Sequence, residues 1–167
     1  MSRRPLLAFT SILAVCVGCD HASKQAAVSL LADSSGLELA GGVLRFQLAS
    51  NPGAFMSLGA GLSEAVRSLF FVGLVPFLIA LVCIHFARSA RASRAALAAL
   101  AALAGGGLGN WLDRLLHDGA VTDFVSFGFG PLRTGIFNLA DLAIVAGILG
   151  LILSARRREG PEPEQAA

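Results

Sequence analysis

Residues 95–116 read AALAALAALAGGGLGNWLDRLL. The first eighteen carry no charge, and a helix crossing roughly 30 Å of hydrocarbon needs about 20 residues, so this stretch spans a bilayer. It delivers Asn110, Asp113 and Arg114 to one end of the span. Three more stretches share its length and apolar character, from about Pro5 to Leu31, Ser68 to Phe86 and Ile136 to Ala155. The composition agrees: of 167 residues 55% are apolar and 14% charged, whereas a soluble domain carries about 25% charged residues. An ordinary soluble enzyme, a disordered chain and a disulfide-stapled module are excluded. The three cysteines lie inside apolar runs, as small hydrophobes do.

Orientation follows from the arginines, because short cytoplasmic segments are enriched in basic residues. Arg3 and Arg4 precede the first span, Arg88, Arg91 and Arg94 join the second to the third, and Arg156, Arg157 and Arg158 follow the fourth. Both termini are therefore placed in the cytoplasm, and the two outer segments are about 32–67 and 117–135. Within the first, Leu37, Leu39, Leu44, Phe46 and Leu48 alternate with Glu38, Arg45 and Gln47 around Gly41 and Gly42. That pattern predicts a β-hairpin over 37–48 with one apolar face, resting on the helices or in the lipid interface because a lone hairpin is marginal in water. The expected fold is mainly α: a polytopic membrane protein with four transmembrane helices, a small extracytoplasmic β-hairpin or cradle and a second outer segment. Residues 1–155 read as one four-span domain, and 156–167 as a polar cytoplasmic tail.

Ionisable groups inside spans are costly and mark functional sites. Asp20 and Lys24, Asn110, Asp113 and Arg114, and Asn138 and Asp141 all fall toward the outer face, at helical spacings that form a polar stripe on each of three helices. Asp141 is placed five residues into its span, about 7.5 Å below the outer end. Simpler roles are open to several of them: Asp20 with Lys24 forms an i,i+4 ion pair that neutralises itself, and Asp113 with Arg114 finishes a helix at the headgroups. Ala101, Gly105 and Gly109 recur every fourth residue, a close-packing face. The histidines lie in three different segments without metal-ligand spacing, so no metal site is expected.

Asp123, in VTDFVSF, and Asp141, in FNLADLAIVAG, are separated by a stretch holding Gly128, Gly130, Pro131 and Gly135 that gives the chain room to fold back. Two carboxyls sharing a site do not both ionise cheaply, so one keeps a proton while the other takes one from water. A solvated loop aspartate is the simpler reading of Asp123 alone. Two other chemistries compete. Lys24, the only lysine, could serve a serine–lysine hydrolase with a nucleophile such as Ser57, and Asp20, Asp113, Asp123 and Asp141 could relay protons in a transporter.

DHASK at 20–24, NPGAF at 51–55, GGGLGNWLDRL at 105–115, VTDF at 121–124 and FNLAD at 137–141 occur in that order. In these motifs the chain resembles lipoprotein signal peptidase, the bacterial signal peptidase II family. The second motif departs from the family's usual pattern, lacking one small residue between Gly53 and Phe55. The resemblance implies an intramembrane aspartyl endopeptidase of the bacterial inner membrane. Its substrates would be diacylglyceryl-modified prolipoproteins, cut on the amino-terminal side of the lipidated cysteine. It further implies Asp123 and Asp141 as the catalytic pair; Asn51, Gly53, Asn110, Arg114, Asn138 and Ala140 around the substrate; and Asp20, Lys24 and Asp113 in support. It implies no cofactor, no nucleic-acid partner, membrane lipid as surroundings and inhibition by globomycin.

Overall fold

The computed structural model describes residues 3–53, 59–88 and 93–156. Ala54, Phe55, Ser57, Arg91 and the tail beyond Arg156 lie outside the described residues. Helix α1 (Arg3–Leu31) leads into strands β1 (Leu37–Leu39) and β2 (Leu44–Asn51). The second span is built from α2 (Glu64–Arg67), a π-helical stretch (Ser68–Leu74) and α3 (Val75–Arg88). Then follow α4 (Arg94–Leu116), β3 (Val121–Phe129), β4 (Leu132–Arg133) and α5 (Leu139–Arg156). Among the described residues four helical stretches, Pro5–Leu31, Glu64–Phe86, Arg94–Leu116 and Leu139–Arg156, are long and apolar enough to cross a membrane.

Helix α4 is the axis of the bundle, half buried, with α1 and α5 packed against it. Small residues permit that proximity. A Cβ on Gly105 would come within 2.7 Å of Cys16 Cβ on α1, and one on Gly147 within 2.6 Å of the Leu103 backbone nitrogen on α4. The burial pattern is the reverse of a water-soluble protein's. Along α1 the buried residues are Asp20, Lys24 and Ala27, while Leu7, Val15 and Leu30 face outward. In hydrocarbon an outward leucine costs nothing and an outward charge costs several kcal/mol, so the polar stripe turns inward.

Ser93 caps α4 by accepting a hydrogen bond from the Ala96 N–H at 3.1 Å. Helix α5 begins at Leu139, three residues later than the hydropathy of Ile136 and Phe137 suggests, because Asn138 caps it and Phe137 exchanges backbone hydrogen bonds with Val125. Asp141 therefore sits in the first turn of its helix, not five residues deep. The second span starts earlier than expected, at Glu64, so the segment joining the first two spans is shorter by a turn of helix.

The expected hairpin is present as β1 and β2, with Leu37 opposite Phe46 and Leu39 opposite Leu44. It does not stand alone. Strand β3 pairs antiparallel with β2, so the segment between the first two spans and the segment between the last two form one four-stranded sheet in the order β1-β2-β3-β4. A bulge between Phe46 and Ala49 shifts the register so that Ala49 faces Asp123 and Asn51 faces Val121. Phe124 and Val125 pack with Leu44, Phe46, Leu48 and Phe137 onto Ala27 and Leu31 at the end of α1. The sheet is thus anchored on the bundle where α1 and α4 end and α5 begins.

Candidate active site

Two local devices set the position of Asp141. The Asn138 side-chain oxygen accepts the Asp141 N–H at 3.0 Å, and an Asp141 carboxylate oxygen faces the Asn138 N–H at 3.4 Å, the reciprocal geometry of a capping box. Asp123 is set by the sheet instead. Alternation along β3 turns its side chain toward the bundle, where it is 1% exposed. It is not a solvated loop residue.

Each Asp123 oxygen accepts an amide N–H: Oδ1 from Asn138 Nδ2 at 2.6 Å and Oδ2 from Asn51 Nδ2 at 2.8 Å. Asn138 Nδ2 also donates to Asn110 Oδ1 at 3.1 Å, and Asn110 Nδ2 donates to Asp141 Oδ1 at 2.9 Å. The two aspartates are therefore joined through two asparagines. Burial pushes the Asp123 carboxyl up to about 6, and the nearby Asp141 charge adds to this, while the Asn51 and Asn138 donors and the Lys24 charge oppose it.

Lys24, 2% exposed, lies beneath this pair. Its ammonium reaches Asp20 Oδ2 at 2.6 Å, Asp113 Oδ2 at 3.1 Å and Asn110 Oδ1 at 3.1 Å. Three acceptors for three N–H bonds is full satisfaction, the condition under which a buried charge is tolerated. Asp20 Oδ1 in turn accepts the Ala140 N–H at 2.9 Å, tying α1 to the first turn of α5. Asp113 Oδ2 accepts the Thr122 N–H at 2.9 Å, tying α4 to β3 one residue before Asp123. The Ser23 hydroxyl donates to the Asp20 carbonyl oxygen at 2.8 Å and makes no contact with Lys24 in that bond.

Arg114 is buried on the same side. Its guanidinium donates to the Asn110 carbonyl at 3.0 Å and to the Gly53 carbonyl at 2.6 Å, and stacks with its carbon 5.0 Å from the Phe71 ring centroid. The Gly53 N–H donates to Asn51 Oδ1 at 2.9 Å, closing a turn that aims the Asn51 amide at Asp123. All eleven residues singled out in the sequence converge on one region: Asp20, Lys24, Asn51, Gly53, Asn110, Asp113, Arg114, Asp123, Asn138, Ala140 and Asp141. Two contributors were not singled out in the sequence. Thr122, inside VTDF, acts through its backbone N–H, and Phe71 is one apolar residue among many in its span.

Asp123, Asp141, Asn51, Asn110 and Arg114 line a cleft of about 380 Å³ whose remaining walls are apolar, with Phe70, Phe71 and Val75 from the second span opposite Ile144, Val145 and Ile148 of α5. A polar end with two coupled carboxyls and an apolar trough leading from it suit an amphiphilic ligand.

The family model described as signal peptidase (SPase) II matches residues 12–157. The chain is 33% identical over 158 residues to the lipoprotein signal peptidase of Xanthomonas campestris pv. campestris, covering 92% of each. It is 35% identical over 158 residues to that of Streptomyces griseus subsp. griseus, covering 91% of this chain and 75% of the relative. A solved bacterial membrane enzyme, determined by the in meso method at 2.3 Å resolution, superposes with a TM-score of 0.77 over 95% of this chain and 93% of its own, at 23% identity. That likeness concerns the fold and agrees with a multi-pass membrane protein of four spans. The match along nearly the whole chain places this protein in the signal peptidase II family of membrane peptidases.

Proposed function

We propose that this chain is an aspartic endopeptidase of the bacterial inner membrane. It removes the signal peptide from diacylglyceryl-modified prolipoproteins, cutting on the amino-terminal side of the lipidated cysteine. The observation that carries this reading is the placement of Asp123 and Asp141 in one buried, asparagine-bridged network at the polar end of an apolar cleft. Acyl chains lie against the apolar walls while the scissile bond meets the carboxyls.

The chemistry needs one proton in the pair. Asp123, pushed up to about 6 by burial, is the carboxyl assigned as base, its two amide donors favouring the ionised form. The ionised carboxylate takes a proton from water as the water oxygen attacks the peptide carbonyl carbon. The proton remaining in the pair passes to the leaving amine nitrogen as the C–N bond breaks, and the proton taken from water stays behind, so the pair again holds one proton. The Arg114 Nε–H is buried with no hydrogen-bond partner among the described residues, and is a donor suited to a substrate carbonyl. Asp20, Lys24 and Asp113 hold the three helices and β3 in register beneath the pair. Residues 1–155 form the peptidase domain, both termini are cytoplasmic, the 156–167 tail is outside the chemistry, and globomycin competes for the cleft.

A proton relay needs a polar path to the other leaflet, and the buried residues of the first half of α4 are Ala96, Leu97, Leu100, Ala101 and Ala104. The serine–lysine alternative needs a lysine free to act as base, whereas Lys24 is engaged by three acceptors.

The deciding experiment is cleavage of a diacylglyceryl-modified prolipoprotein by purified protein in detergent, comparing wild type with Asp123→Asn and Asp141→Asn, each checked for folding. Loss of cleavage in both folded variants, with no effect of EDTA on wild type, upholds the pair. Cleavage surviving both changes rejects it, and a wild type that never cleaves rejects the peptidase reading.

A further inference from the structure

The second span is held to the bundle differently from the others. Its π-helical stretch runs seven residues, Ser68–Leu74, with the Val75 N–H reaching back five residues to the Phe70 carbonyl. Such segments are rare, usually single turns, and frequent at functional sites. Here the stretch forms a wall of the cleft through Phe70 and Phe71. Beyond it, Phe77, Leu78, Leu81 and Ile84 of α3 are exposed, while Ile79 on the other face of α3 packs against Gly107 of α4.

Two residues of α4, one turn apart, grip this stretch. The Trp111 indole Nε1–H donates to the Val72 carbonyl oxygen at 2.9 Å, and the Arg114 guanidinium stacks on Phe71. From Arg114 the path continues through bonds described above: to the Gly53 carbonyl, from the Gly53 N–H to Asn51 Oδ1, and from Asn51 Nδ2 to Asp123 Oδ2. The wall of the cleft and the base of the reaction are thereby ends of one chain of direct contacts.

We propose that Trp111 is a positioning residue for the peptidase. By clamping the π-helical turn of the second span onto α4, its indole N–H keeps Phe71 under Arg114, and so keeps the Asn51 amide on Asp123. Its ring also lines the cleft, so an apolar group seated between Phe71 and Ile148 presses on the same clamp. The clamp makes the geometry of Asp123 depend on how the trough is filled, a means of favouring lipidated over unlipidated substrate. The inference rests on the peptidase reading of the site.

The test is Trp111→Phe, which keeps an aromatic ring and removes the N–H, assayed with a diacylglyceryl-modified prolipoprotein across pH. Rates are normalised to folded protein by size-exclusion chromatography. With the clamp gone, Asn51 loosens from Asp123 and the carboxyl loses a donor that favours its charged form. The charged groups around it, Asp141 on α5, Lys24 on α1 and Arg114 on α4, are the same in both proteins. Expected are a fall in kcat of about fivefold and an acid-limb midpoint higher by about half a unit. A purely packing role lowers only the amount of folded protein. A midpoint unchanged from wild type overturns the proposal whatever the rate does. If Trp111→Phe does not fold, Phe71→Leu cuts the next link and is expected to move the midpoint in the same direction, with the same criterion. Failure of the wild type to cleave overturns the peptidase reading instead, and is seen before any variant is compared.

Discussion

Asn138 donates its side-chain amide to Asp123 Oδ1 at 2.6 Å, while its own side-chain oxygen caps the helix that carries Asp141. One residue therefore fixes the strand aspartate and the helix aspartate relative to each other. Asn138→Ser retains a hydroxyl able to cap α5 but cannot reach Asp123 as an amide does. Cleavage is expected to fall about tenfold or more, and the acceptors left without their donor on Asp123 and Asn110 are expected to cost about 1–3 kcal/mol of stability. Asn138→Ala loses the cap as well and is expected to cost about 1 kcal/mol of stability in addition. Melting curves and turnover measured on the same detergent preparations separate the two effects.

Burial pushes the Asp123 carboxyl up from the usual 3.8 to about 6. In the proposed mechanism Asp123 supplies the base, so a protonated Asp123 leaves the pair without one. Cleavage per folded molecule is expected to decline as pH falls through about 6, by close to tenfold for each further unit. A rate that is flat between pH 5 and 7 would mean that Asp123 does not supply the base.

Lys24→Met leaves Asp20 and Asp113 buried without their cation. Breaking a buried ion pair by removing one partner costs about 3–5 kcal/mol, so the expected result is loss of folded protein, seen as aggregation on size-exclusion chromatography. Pairing it with Asp20→Asn in the same chain removes one of the orphaned charges and should restore part of the folded fraction. A Lys24→Met protein that is folded but inert would instead favour a direct role for the lysine.

Gly109 and Gly18 provide a matched pair. A Cβ on Gly109 would lie 2.8 Å from Asp20 Oδ2, against the Lys24 ion pair, whereas a Cβ on Gly18 meets nothing within 4 Å. Gly109→Ala is expected to destabilise by about 1–3 kcal/mol through overpacking and to lower activity by shifting Asp20 from the Ala140 N–H. Gly18→Ala, in mid-helix, should be neutral or stabilising by up to about 1 kcal/mol. Thermal midpoints of the two variants measured together make the comparison.

The number of spans, the inward polar stripes and the hairpin at 37–48 were legible in the sequence because each depends on local periodicity and on the cost of charge in hydrocarbon. The candidate residues were legible for the same reason, since Asp20, Lys24, Asp113 and Asp141 are polar where the surroundings are not, and the family motifs added Asn51 and Gly53. What local pattern could not supply was register between distant segments. That β3 pairs with β2, that a bulge places Ala49 opposite Asp123, and that α5 waits for the Asn138 cap are outcomes of packing between residues far apart in the chain. The same holds for Phe71, one apolar residue among many in its span, and for the N–H of Trp111, whose place in GGGLGNWLDRL says nothing of the Val72 carbonyl it meets. Hydropathy decided which residues turn inward; only the tertiary structure decided which atoms meet there, because a hydrogen bond depends on sub-ångström position and hydropathy does not.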